Sequence, residues 1–166
     1  MVSSNRIDAV LFLVRVTFFP VAASLARKDN TLCPANDKVY VFLDSVFSEL
    51  ASLFPFPYIH VGGDECAKNF WEQSDQIKAL MTKENLKTME EVQSYFEKRL
   101  EKIVESKGKK FIGWDEILEG GLAPNAVVMS WRGIKGGIAA AKIGTPGCDE
   151  PDHICLSGLY AGRCNQ

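Results

Sequence analysis

The chain has 166 residues, a formal net charge of −2, 46% hydrophobic residues and 10% aromatic residues. That is an ordinary globular composition, enough for one core. The near-neutral balance gives no case for nucleic-acid binding, which calls for a basic patch.

Residues 1–31 open with an apolar run, Ala9 to Val14, broken by Arg15 and resumed in Val16 to Phe19. Two readings stand. With Arg6 before the run and Ala22-Ala23-Ser24-Leu25-Ala26 after it, the segment fits a signal peptide. Arg15 weighs against that and fits a strand rich in Val and Phe instead. The run is too interrupted for a membrane-spanning helix.

Asn36 to Phe54 is a predicted helix. Asn36 is the N-cap, and Val39, Phe42, Leu43, Val46, Phe47, Leu50 and Phe54 form its apolar stripe. Pro55 and Pro57 end it. Tyr58 to Val61 then reads as a short buried strand, bounded by breakers. It runs into Gly62-Gly63-Asp64-Glu65. Neighbouring side chains on a strand face opposite ways, so two adjacent carboxylates on a strand could not share one small substrate. Glycine opens backbone angles closed to other residues. A double-glycine hinge can therefore turn both acids into a cleft beyond the strand end, where ligands bind in α/β folds. A bare Asp-Glu pair is most simply a solvated or helix-capping pair. After a β-rich run and a hinge, it suits acid-catalysed glycoside cleavage, one group protonating the leaving oxygen and the other stabilising positive charge.

Cys66 to Trp71 reads as a loop at the active-site rim, where Trp71 either packs or touches a leaving-group sugar, packing being the default. Ser74 to Met81 suggests a short helix and Lys83 to Lys87 a turn. Thr88-Met89-Glu90-Glu91 fits a capping box. The stripe Val92, Tyr95, Phe96, Leu100, Ile103 and Val104 follows, up to a stop at Gly108. The charged residues of this helix read as a solvated face. Lys110 to Trp114 is the next strand, and Asp115-Glu116 after it is a second acidic pair. That pair competes for the catalytic role but lacks the hinge, and capping is its default use. Ala126 to Trp131 is a third strand, with Gly136 to Lys142 starting its helix. Trp114 and Trp131 end successive strands beside the acids. They read either as residues closing the core or as a sugar platform, an indole face against a pyranose. Strand, helix, strand, short link, strand predicts a parallel sheet with crossovers.

The motif His60-Val61-Gly62-Gly63-Asp64-Glu65 resembles the signature of the family 20 glycoside hydrolases, the β-N-acetylhexosaminidases. Leu32-Cys33-Pro34, Gly113-Trp114-Asp115-Glu116-Ile117, Met129-Ser130-Trp131-Arg132-Gly133 and Gly136 to Ala141 stand in the family's order and approximate spacing. The resemblance covers about residues 32–144. It implies an α/β fold, a partial (β/α)8 TIM barrel holding only middle strands and helices, since a whole barrel takes about 250 residues. Residues 1–31 and 145–166 lie outside it. By this resemblance Glu65 is the general acid/base and Asp64 orients the substrate's 2-acetamido group, whose carbonyl oxygen is the nucleophile. Trp114 and Trp131 line the acetamido pocket. The implied partners are glycans bearing N-acetylglucosamine or N-acetylgalactosamine, the implied setting is secreted or periplasmic, and no cofactor or metal is called for. The family's Pro-Gly-His motif has no counterpart, because His60 and His153 are the only histidines. Tyr160 does not lie in the family's tyrosine motif. Cys148, His153, Cys155 and Cys164 match no usual zinc spacing. Open sheet edges in a partial barrel favour self-association.

Overall fold

The computed structural model describes residues 31–130, Arg132, and the strand Cys155–Leu156. The first helix, α1, spans Asp37–Leu53. The Asn36 side chain caps it, accepting from the Lys38 N–H at 3.1 Å. Tyr40, Leu43, Phe47 and Leu50 point inward, a spacing of three and four that keeps one helical face buried. The expected stripe is therefore rotated. Phe42 is 59% exposed, and Tyr40 takes the inner place because its hydroxyl finds the Pro34 carbonyl at 2.7 Å. Burial pushes the Tyr40 hydroxyl well above its ordinary range. The Arg99 guanidinium stacks on its ring, 3.4 Å from the centroid, and pairs with Asp37 at 2.9 Å.

Strand β1 is Tyr58–His60. The two short helices that follow are α2, Asn69–Gln73, and α3, Asp75–Glu84. The expected rim loop is thus partly helical. Trp71 is a core residue, 4% exposed, with its indole N–H donating to the Leu32 carbonyl at 3.0 Å. It packs with Ile77 and Val92 in a small satellite cluster. The turn expected from Lys83 starts two residues later, where Asn85 adopts the left-handed conformation and ends α3.

Helix α4, Met89–Ser106, is the crossover. Thr88 accepts from the Glu91 N–H at 3.2 Å. The Glu91 carboxylate reaches back to the Lys87 N–H, one residue beyond the reciprocal bond of a standard capping box. Strand β2, Lys110–Trp114, leads into a 3-10 turn at Asp115–Leu118. Strand β3 is Val127–Ser130, and β4 is Cys155–Leu156. The sheet order is β1-β2-β3-β4 and each described pairing is parallel. The expected strand–helix–strand–strand succession holds over the described residues. Trp131, the predicted helix from Gly136, and residues 1–30 lie outside them.

One core unites the inner face of α1, Ile59, Leu100 and Val104 of α4, Phe111 and Val128. Phe111 is 1% exposed; burying such a side chain stabilises the fold by roughly 1.5–3 kcal/mol. Two lysines set how β1 leaves this core. Lys107 pairs with Asp44 at 2.7 Å, tying α4 to α1. The Lys109 ammonium donates to the Phe54 and Phe56 carbonyls at 2.9 and 2.8 Å, fixing the proline-bounded link that feeds β1.

Candidate active site

The acids stand where parallel β1 runs out. The Val61 N–H donates to the Ile112 carbonyl at 2.9 Å, and the Trp114 N–H to the Gly62 carbonyl at 2.8 Å. The chain then turns sharply. Gly62 and Gly63 take φ of +85° and +100°, and Glu65 takes +46°. A left-handed non-glycine residue costs about 1–2 kcal/mol and persists only where its surroundings hold it, commonly at functional sites. Asp64 comes out half-buried and Glu65 exposed. The turn rests on the double-glycine hinge. It ends the strand alternation and delivers the pair at the carboxyl edge of the sheet.

Close packing explains why neither side chain nor backbone could be larger here. A Cβ on Gly63 would sit 2.6 Å from Ile117 Cγ2. One on Gly113 would sit 2.8 Å from the same methyl and 3.0 Å from the Gly62 carbonyl. Ile117, fully buried in the 3-10 turn, fills the space both glycines leave.

His60 braces the hinge from the strand side. The Gly62 N–H donates to its Nδ1 at 3.1 Å, so the ring accepts at Nδ1 and its neutral form carries the proton on Nε2. The ring is 4% exposed, and burial pushes its pKa down to about 4. Its Nε2 has no hydrogen-bond partner. The ring meets the Trp114 indole edge-on at 4.7 Å between centroids, an arrangement favoured by aromatic quadrupoles. Trp114, half-buried, is thereby placed at the end of the adjacent strand, next to the hinge. Trp131, the other expected sugar platform, lies outside the described residues.

The far side of the hinge is held by residues that sequence reasoning missed. Gln93 Nε2 donates to the Gly63 carbonyl and to Glu97 Oε1, both at 2.9 Å. Glu97 is 4% exposed and Glu101 3%, so the solvated face expected for α4 is wrong at these positions. Burial pushes the Glu97 carboxyl up to about 7 and raises Glu101 as well. Glu101 has a structural use, accepting from the Asn125 N–H at 2.8 Å. The available signal was the row 93, 97, 101, polar residues four apart that line one side of a helix.

The competing pair at 115–116 has a different setting. Arg132 Nε lies 3.0 Å from Asp115 Oδ2 and 3.5 Å from Glu116 Oε1, and its Nη1 lies 3.2 Å from Glu119 Oε1. One guanidinium therefore gathers three carboxylates, and those contacts raise its own pKa. Asp115 is 2% exposed. Through Arg132 this pair anchors the segment after β3 to the 3-10 turn. Among the described residues no three His, Cys, Asp or Glu side chains are grouped as metal ligands, and no helix is long and apolar enough to cross a membrane.

Residues 16–149 match the family model described as "Glycosyl hydrolase family 20, catalytic domain", a wider span than the motifs alone mark out. A β-hexosaminidase of Porphyromonas gingivalis is 50% identical over 116 residues, covering 70% of this chain and 15% of that protein. Among solved structures, a chitobiase from Flavobacterium johnsoniae aligns with a TM-score of 0.59 and 41% identity, over 68% of this chain and 17% of its own. An exo-β-N-acetylglucosaminidase from Vibrio harveyi aligns with a TM-score of 0.64 and 32% identity, over 70% and 18%. The chain thus spans about a sixth of the length of these relatives. Its parallel strands and crossover helix form part of an α/β barrel, and the chain belongs to glycosyl hydrolase family 20.

Proposed function

We propose that this segment supplies the acid pair of a retaining β-N-acetylhexosaminidase acting on glycans that end in N-acetylglucosamine or N-acetylgalactosamine. Glu65 is the general acid. It protonates the leaving oxygen as the glycosidic C–O bond breaks and the substrate's acetamido carbonyl oxygen bonds to the anomeric carbon. Asp64 orients the acetamido group and stabilises the resulting oxazolinium cation. Glu65 then takes a proton from the water that reopens the ring, which retains configuration. Trp114 and Trp131 line the acetamido pocket, holding the carbonyl oxygen near the anomeric carbon. Such positioning contributes up to roughly 7–11 kcal/mol in the best intramolecular cases. No metal or cofactor enters this scheme.

The observation that carries the reading is an acid pair that follows two glycines at positive φ, with Glu65 itself at φ +46°, and a Trp114 N–H bonded to the Gly62 carbonyl of the same hinge. In a complete barrel containing the segment, Glu65→Gln is expected to lower turnover of an aryl N-acetylglucosaminide with a poor leaving group by about 10²–10⁴-fold, the usual worth of general acid catalysis. Asp64→Asn is expected to slow formation of the cyclic intermediate. Near-normal rates in both variants would end the assignment.

A second reading is favoured by the sheet itself. Among the described residues β1 is an edge strand, and unpaired edges promote association. On this reading the 166-residue chain is an inactive or sugar-binding remnant that self-associates. Titration with N-acetylglucosamine thiazoline, a mimic of the cyclic intermediate, separates the two. Tight binding by a monomer supports an intact pocket; oligomers that bind nothing support the remnant.

A further inference from the structure

We propose that Gln93, held in place by Glu97, is a positioning residue for the Asp64–Glu65 turn. The catalytic consequence rests on the function proposed above; the positioning itself does not. The Gly63 carbonyl belongs to the peptide plane that leads into Asp64, so its orientation fixes how the acid pair is presented. Glycine supplies no conformational preference of its own. The hinge must be held from outside. The Gly62 peptide groups are bonded by His60 at 3.1 Å and the Trp114 N–H at 2.8 Å. The Gly63 carbonyl is bonded by Gln93 at 2.9 Å.

The Gln93 amide nitrogen has two N–H donors, and both are in use, one to Gly63 and one to Glu97. Glu97 therefore sets the rotation of the amide that grips the hinge. The contact is tight on that side as well, since a Cβ on Gly63 would lie 3.5 Å from Glu97 Oε1. The second carboxyl oxygen, Oε2, is buried without a partner. Cys66 and Lys68 face this acid from the segment after the turn, Lys98 from α4, and Glu119 from beyond the 3-10 turn. None of them bonds Oε2. A proton on Glu97 leaves the group neutral. Loss of that proton, as pH passes about 7, places an unpaired charge beneath the hinge. Such a charge draws in water or a cation at the expense of packing.

The test is amide hydrogen exchange of residues 62–66 in the full chain, corrected for the intrinsic pH dependence of exchange, with α1 as internal control. Gln93→Leu is expected to speed hinge exchange by about tenfold, the scale of a lost hydrogen bond with its acceptor left buried, while α1 is unchanged. In wild type the hinge is expected to loosen relative to α1 above about pH 7. Glu97→Gln, which keeps the acceptor and removes the charge, is expected to abolish that step. Hinge exchange in a folded Gln93→Leu protein that matches wild type would overturn the proposal. So would an identical pH dependence in wild type and Glu97→Gln, which also decides the matter if Gln93→Leu fails to fold. Absent turnover in a complete barrel containing this segment, with this exchange pattern intact, would count against the hydrolase reading and leave the positioning role standing.

Discussion

Two acidic pairs end neighbouring parallel strands of this protein, and they are held in different ways. Asp64-Glu65 follows two glycines at positive φ, and Glu65 itself is left-handed. Asp115-Glu116 follows a single glycine and a tryptophan, enters a 3-10 turn, and is gathered by Arg132. In the first pair Glu65 is exposed and Asp64 half-buried; the second is tied down by a guanidinium. Residue type alone does not separate a presented carboxylate from an anchored one. The separation comes from the backbone that delivers the pair and from the cation, if any, that claims it.

Substitutions can break that contrast. The largest structural effect is expected from Gly63→Ala, which meets Ile117 at 2.6 Å at a φ of +100°. It is expected to destabilise by about 1–3 kcal/mol and to displace the acid pair, seen as a lower unfolding midpoint together with lost turnover. Asp115→Asn is expected to act on stability rather than chemistry. Losing one ion pair to a guanidinium that is 43% exposed costs less than the 3–5 kcal/mol of a fully buried pair. Chemical denaturation should show a loss of roughly 1–2 kcal/mol, with KM unchanged.

A finer test uses pH. His60 has its pKa depressed from 6.5 to about 4, so its contribution is present above 6.5 and is lost as pH falls through about 4. Glu97 has its pKa raised from 4.5 to about 7. Its contribution is present below 4.5 and is lost as pH rises through about 7. The two slopes oppose each other between 4.5 and 6.5, because each follows the difference in bound protons between unfolded and folded chains. These groups therefore predict a stability plateau in that interval, falling off on both sides. Glu97→Gln should remove the opposing slope, so that stability rises with pH from about 4 to 6.5 and no longer falls toward 7. The smallest effect is expected from Thr88→Ala, which removes the cap of α4. It should cost about 1 kcal/mol in thermal unfolding without altering either acid pair.

Much of this arrangement was legible in the residues. The prolines at 55 and 57, the capping residues Asn36 and Thr88, and the paired glycines act locally, so their meaning can be read in place. Glycine's freedom made a sharp turn at 62–63 legible, but not the contacts that hold it. The errors arose where distant contacts overrule local pattern. Phe42 is apolar and sits at helical spacing, yet Tyr40 is buried instead because Pro34 and Arg99 give its ring and hydroxyl partners. Trp71 was placed at a rim because nothing nearby in sequence reveals the Leu32 carbonyl. Glu97 looked like a surface acid because burial of a carboxylate depends on Gln93 and on the hinge some thirty residues earlier. Arg132's grip on Asp115 joins the ends of two strands and has no local signature.

The most direct test compares the two pairs in one assay. In a complete barrel containing this segment, Glu65→Gln and Glu116→Gln are each measured on an aryl N-acetylglucosaminide with a poor leaving group. The account predicts a fall of about 10²–10⁴-fold for Glu65→Gln and only a small change for Glu116→Gln. A large loss from Glu116→Gln with Glu65→Gln near wild type would contradict it.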